Sequence, residues 1–159
     1  MMQALIQFIA DGTVIIAVLI GVYALITHIP NKNKYAAYAR ILMAGLTALL
    51  VAKIMATFIQ PASERPFELL GVSPGAAYLD NPGFPSDHAL FVTAITLAVW
   101  FETRHRYLTY AMLAMLVLVS IGRVAALVHT PLDVAGGIFA GLSGIFWYLP
   151  EVTGSRKSK

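Results

Sequence analysis

The chain lacks several features that are common in soluble proteins. It has no cysteine, which excludes disulfides and thiolate metal sites. Charged residues make up only 12% of its 159 residues, against about 25% in a typical soluble domain, while 58% are hydrophobic. The composition therefore indicates an integral membrane protein, which we expect to form a single domain over residues 1–159.

Motifs of several enzyme classes are also missing. The sequence contains neither an HExxH nor a GxxxxGK[ST] pattern, so it gives no support for zinc proteolysis or P-loop chemistry. Its eleven Lys and Arg residues are dispersed, which argues against nucleic acid as a partner. The first ten residues lack a basic start, so we expect no cleaved signal peptide.

Five apolar segments dominate what is present. They cover residues 4–29, 36–60, 86–101, 107–128 and 131–149. A helix needs about 20 residues to cross a bilayer, so the third segment is short. The pattern predicts an all-α bundle of about five transmembrane helices. The connection 61–85 is rich in Pro, Gly and Ser, and connections of that length tend to be functional.

The basic residues predict the orientation of the chain. Most of them lie in the first connection, the third connection and the tail: Lys32, Lys34, Arg40, Arg104, Arg106, Arg156, Lys157 and Lys159. With five spans these regions share one face, which the positive-inside rule makes cytoplasmic, with the N-terminus outside. Lys53, Arg65 and Arg123 lie toward the opposite half of the membrane, which marks them as functional candidates.

A run in the last third of the chain combines Arg123, His129 and Asp133. Such groups are costly at a membrane and are usually functional there. A carboxylate four residues after the histidine could orient its ring and leave the other nitrogen to attack phosphorus. The alternative is structural: Thr130 and Asp133 could form a capping box on a helix that Pro131 begins.

A second cluster, Pro85-Ser86-Asp87-His88, begins the third apolar segment. A helix that starts near Ser86 would present unpaired N–H groups to an anion. His88 suits a general acid that protonates a leaving oxygen. Taken alone, a histidine at this position would more often be a polar residue at a helix start.

Two further cations are candidate phosphate ligands. Arg65 precedes Pro66, so its backbone is predicted to be extended, and with Arg123 it would offer two guanidinium groups to one phosphate. The alternative for Arg65 is a solvated ion pair with Glu64. Lys53 lies about two turns before the end of its helix, where a lysine can also snorkel to the interface without a function.

These residues resemble the three sequence blocks of the type 2 phosphatidic acid phosphatase superfamily. The third block reads Gly122-Arg123-x5-His129-x3-Asp133, the second reads Pro85-Ser86-Asp87-His88, and the first keeps Arg65-Pro66. The resemblance covers residues of about 53–140. Three positions depart from the pattern: Gly122 stands for serine, Asp87 stands for glycine, and Lys53 lies twelve rather than seven residues before Arg65. Members usually have six spans, whereas five are visible here.

The resemblance implies a metal-independent lipid phosphatase that needs no cofactor. In this interpretation His129 forms a phosphohistidine supported by Asp133, and His88 protonates the leaving group. Phosphoryl oxygens would be held by four side chains: Arg65, Arg123, Ser86 and Lys53.

The substrate expectation rests on the second block. The Pro-Ser-Asp-His form is similar to the branch that acts on undecaprenyl diphosphate, which predicts its hydrolysis to undecaprenyl phosphate at the outer face of a bacterial plasma membrane. Two alternatives stay open. One is a phosphatidylglycerophosphate or phosphatidate phosphatase, and the other is a non-catalytic lipid-binding or transport protein.

Overall fold

Helices form the framework of the chain. The computed structural model describes residues 1–149. Within them we number the helices α1 (Met2–His28), α2 (Lys34–Phe58), α3 (Pro66–Leu69), α4 (Asp87–Ala98), α5 (Arg106–Ala125) and α6 (Pro131–Leu142). A π-helical turn at Phe8–Gly12 lies inside α1, and another at Val99–Thr103 extends α4. Short 3-10 helices precede α2 at Asn31–Asn33 and follow α6 at Ser143–Trp147. The predicted all-α fold is confirmed.

Three of these helices are long and apolar enough to cross a membrane. They are Met2–His28, Asn31–Phe58 and Arg106–Ala125, and Pro131–Trp147 is a shorter apolar helix. Large apolar side chains such as Leu19, Leu50 and Ile121 are more than half exposed on the outer surface of the bundle. This surface suits lipid rather than water, so the protein is an integral membrane protein. The five predicted segments match five helices, of which these three meet the length of a span.

Helix α4 packs closely against α6 because the contact is lined by glycine. A Cβ added to Gly137 would lie 2.3 Å from the carbonyl oxygen of Ser86, and one added to Gly141 would lie 2.7 Å from Cβ of Thr93. Small residues four positions apart let the backbones of two membrane helices approach each other. The first turns of α4 and α6, which carry the predicted site residues, are therefore held side by side.

The opposite end of the bundle carries the basic connections. Nε and Nη2 of Arg40 each donate to the carboxylate of Glu102 at 2.7 Å, which joins α2 to the extension of α4. The rings of His28 and His105 meet at 4.7 Å between centroids. This end also holds four basic residues of the first and third connections: Lys32, Lys34, Arg104 and Arg106. Arg156, Lys157 and Lys159 of the tail lie outside the described residues.

The connection between α2 and α4 folds back over the end of α5. The N–H of Phe67 donates to the carbonyl of Leu127, and the N–H of Gly75 donates to the carbonyl of Ala126, both at 3.0 Å. A Cβ on Gly75 would lie 2.9 Å from Cα of Ala126, so only glycine allows this approach. The long connection is thus fixed to the turn between α5 and α6.

Candidate active site

Arg123 and His129 meet at the turn between α5 and α6. Arg123 occupies the last turn of α5, where a cation is favoured by the helix dipole, and it is 1% exposed. Leu127 turns the chain with a left-handed φ of 59°, and His129 follows just before α6 begins. Nη2 of Arg123 lies 3.4 Å from Nε2 of His129. The six-residue separation therefore becomes a direct contact.

This contact indicates which nitrogen of His129 carries the lone pair. A guanidinium group only donates hydrogen bonds, so Nε2 faces it as the acceptor and Nδ1 carries the proton. Nδ1 lies 3.8 Å from Oδ2 of Asp133 and has no hydrogen-bond partner among the described residues. Burial lowers the pKa of His129, while the nearby Asp133 carboxylate opposes that shift. A neutral ring with an unprotonated Nε2 is the form that can attack an electrophile.

Asp133 has two tasks at once. Its Oδ2 accepts a hydrogen bond from the N–H of Thr130 at 2.7 Å, and Oγ1 of Thr130 accepts one from the N–H of Asp133 at 3.1 Å. Thr130 is the N-cap and Pro131 the first residue of α6, as the sequence predicts. The same carboxylate therefore caps α6 and lies 3.8 Å from Nδ1 of His129.

Arg65 is engaged with backbone carbonyls of its own connection and of the α5–α6 turn. Its backbone is extended (φ −81°, ψ 158°), as predicted from Pro66. The guanidinium donates to four acceptors: the carbonyls of Leu79 (3.0 Å), Asn81 (3.0 Å) and Val128, and Oδ1 of Asn81 (2.8 Å). It also stacks on Tyr78, with 5.3 Å from Cζ to the ring centroid. Four of its five N–H groups are therefore occupied, and one remains for a ligand.

The alternative for Arg65, a solvated ion pair with Glu64, does not form, since the Arg65 side chain is buried. Glu68 is the acidic partner instead, because its Oε2 accepts a hydrogen bond from the backbone N–H of Arg65 at 2.6 Å. This bond caps the start of α3 and fixes the backbone from which the Arg65 side chain extends.

Ser86 and His88 enter the site from the start of α4. Ser86 is the N-cap, and its N–H donates to the carbonyl of Asp133 at 2.9 Å, which links the two helix starts. Its Oγ is buried and has no hydrogen-bond partner among the described residues. A buried hydroxyl without a partner at a helix N-terminus is well placed to donate to an anion.

One cavity of about 210 Å³ collects most of the predicted residues. It is lined by Arg65, Leu79, Asn81, Gly83, Asp87, His88, Arg123 and His129. The structure thus brings four predicted residues to one space: Arg65, His88, Arg123 and His129. Asp133 and Ser86 do not line it, but the Asp133 carboxylate lies 3.8 Å from His129 and the N–H of Ser86 donates to the carbonyl of Asp133. Lys53 is exposed and lines a neighbouring cavity of about 220 Å³, which shares Asn81 and Asp87 with the first. Among residues 1–149 no group of three or more His, Cys, Asp or Glu side chains is arranged to hold a metal ion.

Sequence reasoning missed two residues of this site. Asp11 of α1 contacts Arg123, with 2.8 Å between Oδ1 and Nη1, and Asn81 anchors Arg65. A carboxylate inside an apolar segment was a signal that could have identified Asp11, since such groups are rare and usually functional. Asn81 gave no comparable signal, because asparagine is common in turns.

Most of the chain matches a known protein family. The family model of the PAP2 superfamily matches residues 34–156. Since that is most of the chain, the protein belongs to the PAP2 superfamily. The assignment supports a phosphatase of lipid phosphates, a phosphoric ester hydrolase that works in a membrane. Comparisons with curated proteins and with solved structures returned no match.

Proposed function

We propose that this chain removes the terminal phosphate of a lipid diphosphate, with undecaprenyl diphosphate as substrate and undecaprenyl phosphate as product. The observation that carries the proposal is the setting of His129. Its Nε2 faces Nη2 of Arg123 at 3.4 Å, and its Nδ1 faces the Asp133 carboxylate at 3.8 Å. A nucleophile placed between a phosphate-binding cation and an orienting carboxylate suits phosphoryl transfer without a metal.

In the first step, Nε2 of His129 attacks the terminal phosphorus. A P–N bond forms as the bond from phosphorus to the bridging oxygen breaks. His88 donates its proton to that oxygen, and the bound phosphate anion favours the protonated form of the ring. Asp133 stabilises the positive charge that develops on the imidazole.

In the second step, water attacks the phosphohistidine. His88, now neutral, accepts a proton from the water, the P–N bond breaks, and inorganic phosphate leaves. Arg123, Arg65 and the Ser86 hydroxyl are the donors proposed for the phosphoryl oxygens. Arg65 would contribute its remaining N–H, and Arg123 its Nε–H and Nη2.

The adjoining cavity favours a diphosphate over a monoester. It begins at Asn81 and Asp87, which line both cavities, and Lys53 is the cation on its far wall. A phosphate that stays attached to the lipid could lie there while the terminal phosphate reaches His129. Lys53 would act as a point charge, since an ammonium lacks the planar fork of arginine.

The proposed location is the outer face of a bacterial plasma membrane. The cavity lies at the end of the bundle opposite Lys32, Lys34, Arg104 and Arg106. The positive-inside rule assigns the basic end to the cytoplasm. The N-terminus would then lie outside, together with the site.

Phosphate release by the purified full-length protein in EDTA tests the proposal. Undecaprenyl diphosphate, phosphatidylglycerophosphate and phosphatidate are compared at matched surface concentration. We expect the highest kcat/KM for undecaprenyl diphosphate, no turnover in His129→Ala, and normal turnover in His28→Ala, which changes a histidine at the opposite end. An acid-labile phosphoenzyme should be trapped in the wild type and in His28→Ala, but not in His129→Ala.

Other outcomes would redirect the assignment. A preference for either phosphomonoester lipid would assign the chain to that substrate and leave the Lys53 cavity without a role. Absence of release from all three lipids, with the protein folded, would favour the non-catalytic lipid-binding or transport alternative. Near-normal turnover in His129→Ala would contradict the phosphohistidine.

A further inference from the structure

The carboxylate that holds Arg123 comes from outside the segment that the family model matches. The match begins at residue 34, whereas Asp11 lies in α1, in the π-helical turn Phe8–Gly12. π-Helical turns are rare and frequently occur at functional sites. The motif residues alone therefore do not complete this site.

Asp11, Arg123 and the backbone of Ala77 form a closed hydrogen-bonded ring. Nη1 of Arg123 donates to Oδ1 of Asp11 and to the carbonyl of Ala77, each at 2.8 Å. The N–H of Ala77 donates to Oδ2 of Asp11 at 2.9 Å. Both oxygens of the carboxylate and both hydrogens of Nη1 are used. The ring fixes the guanidinium in its plane and in its rotation about Cζ.

The rest of the guanidinium is left for a ligand. Nε of Arg123 is buried and has no partner among the described residues, and Nη2 faces His129 at 3.4 Å. The Nε–Nη2 edge is one of the two edges with which arginine binds phosphate through parallel hydrogen bonds. Asp11 thus occupies the other side of the group and directs this edge toward the nucleophile.

Gly122 admits α1 to this position. A Cβ at residue 122 would lie 2.7 Å from the backbone nitrogen of Ala10 and 2.8 Å from its Cα. Backbone atoms cannot give way as the tip of a flexible side chain can. Position 122, where the family motif carries serine, is therefore the point at which α1 touches α5. Gly122 directly precedes Arg123, and its contact residue Ala10 directly precedes Asp11.

The same ring reaches the second arginine. Ala77 is followed by Tyr78, whose ring lies under the Arg65 guanidinium, and by Leu79, whose carbonyl accepts from it. Holding Ala77 therefore also holds the segment that binds Arg65. The carboxylate of Asp11 thus binds Arg123 directly. It is linked to Arg65 indirectly, through residues 77–79.

We infer that Asp11 is a positioning residue of the phosphatase site: it orients the phosphate-binding edge of Arg123. The glycine at position 122 allows α1 to come close enough for this contact. This inference rests on the proposed function for its turnover readout but not for its binding readout. Asp11 does not touch the reacting atoms. It acts through Arg123, in the transition state more than in the ground state, since geometry matters most there.

The test compares Asp11→Asn with Asp80→Asn in the full-length protein. Both changes remove one negative charge near the site, and Asp80 is an exposed residue of the connection that contains Ala77. We expect Asp11→Asn to lower kcat at least tenfold with KM changed less than threefold, because the amide cannot accept from both Arg123 and Ala77. Asp80→Asn should stay within twofold of wild type. Asp11→Glu, which keeps both acceptors, should recover part of the loss.

Vanadate binding by equilibrium dialysis supplies a readout that needs no turnover. Vanadate can adopt the five-coordinate geometry of phosphoryl transfer, so its affinity should fall at least tenfold in Asp11→Asn. If wild type released no phosphate from any lipid, the proposed function would fail, and the vanadate comparison would still decide the role of Asp11. Unchanged kcat and unchanged vanadate affinity in Asp11→Asn would overturn the inference. A higher kcat would also overturn it, because Asp11 would then compete with the phosphate for Arg123.

A second variant keeps the inference testable if Asp11→Asn does not fold. Gly122→Ala should displace α1 and lower kcat in the same way. Where Asp11→Asn does fold, a double-mutant cycle adds a second test: combining it with Gly122→Ala should cost less than a further threefold, because both changes break one contact. Fully multiplicative losses, or a folded Gly122→Ala protein with normal kcat, would contradict the proposed link.

Discussion

The carboxylate of Asp133 lies 3.8 Å from Nδ1 of His129 while it caps the helix that follows. The cap holds the carboxylate on the backbone of Thr130, and the histidine is the residue just before that cap. In the proposed mechanism phosphorus binds Nε2 and the ring becomes cationic, and a slight shortening of this contact would then create a hydrogen bond from Nδ1–H to the carboxylate. Contacts of this kind often tighten only in the reacting complex.

Asp133→Asn should separate the two tasks of this residue. The amide oxygen can still accept from Thr130, so the cap and the fold should persist. We expect kcat to fall by about 10²–10⁴-fold, because an amide cannot stabilise the imidazolium. Asp133→Ala should in addition lose about 1 kcal/mol of stability with the cap. Equal turnover in the asparagine variant and the wild type would restrict Asp133 to capping.

The pH dependence of phosphoenzyme formation should report His129. Burial lowers its pKa from the usual value of about 6.5, so the reactive neutral ring should persist below that pH and be lost only on further acidification. Asp133 raises this pKa, and in Asp133→Asn the acidic limb should therefore move to still lower pH. Single-turnover rates measured across the acidic range check both statements. A limb that moves upward in Asp133→Asn would show that another group controls it.

Arg65→Lys should be far from conservative. The guanidinium binds carbonyl oxygens on two segments together with Oδ1 of Asn81, whereas a lysine offers one point charge. We expect at least a 100-fold loss of kcat/KM, roughly 2.8 kcal/mol at about 1.4 kcal/mol per factor of ten. Amide hydrogen exchange in residues 78–83 should become faster.

Arg106→Lys is the matched control for that variant. Arg106 lies at the opposite end of the bundle. The Arg106→Lys protein should therefore show the same activity and the same amide hydrogen exchange as wild type. If Arg65→Lys kept its activity although exchange in 78–83 increased, the connection would not need to be rigid for function.

Gly137→Ala should separate α4 from α6. The new Cβ would meet the carbonyl oxygen of Ser86 at 2.3 Å, and overpacking of this kind costs about 1–3 kcal/mol. The thermal midpoint in detergent should fall, and activity should fall with it because His88 moves relative to His129. Gly45→Ala is the control, since nothing lies within 4 Å of its added Cβ, and it should gain up to about 1 kcal/mol in helix propensity. Equal midpoints for the two variants would contradict the close helix contact.

Single cysteines test the orientation without interference, because the chain has none of its own. Ser73 is exposed in the connection at the site end, and Lys32 is exposed at the basic end. An impermeant thiol reagent on intact cells should label Ser73→Cys and spare Lys32→Cys. The reverse pattern would place the site in the cytoplasm and exclude a substrate that is processed at the outer face.

The sequence predicted the residues of the cavity better than their contacts. Arg123, His129 and His88 converge because their motifs sit at helix ends on the same side of the bundle, where the first turns of α4 and α6 are held side by side. The occupied hydrogen bonds of Arg65 could not be foreseen, since they depend on how residues 78–83 fold back. Lys53 was predicted as a phosphate ligand, but its position on α2 brings it only to the adjoining cavity.

The contact of Asp11 shows why motif spacing misses part of a site. Asp11 and Arg123 lie 112 positions apart, so no local pattern connects them. Only the packing of α1 on Gly122 brings them together. As the lone acidic residue of the first apolar segment, Asp11 could have been identified as a functional candidate, but its partner could not.

Because Asp11 and Arg123 are far apart in sequence, the ribosome makes them at different times. The helix α1 is made first and enters the membrane while its cation does not yet exist. The carboxylate sits near the start of α1, and even in the folded protein 26% of its side chain is exposed. Water can solvate it before α5 is made. When α5 packs against α1, the ion pair replaces part of this water and joins an earlier helix to a later one. The same contact sets the proposed phosphate-binding edge, so we expect a newly made chain to become competent for catalysis only after α1 and α5 have packed together.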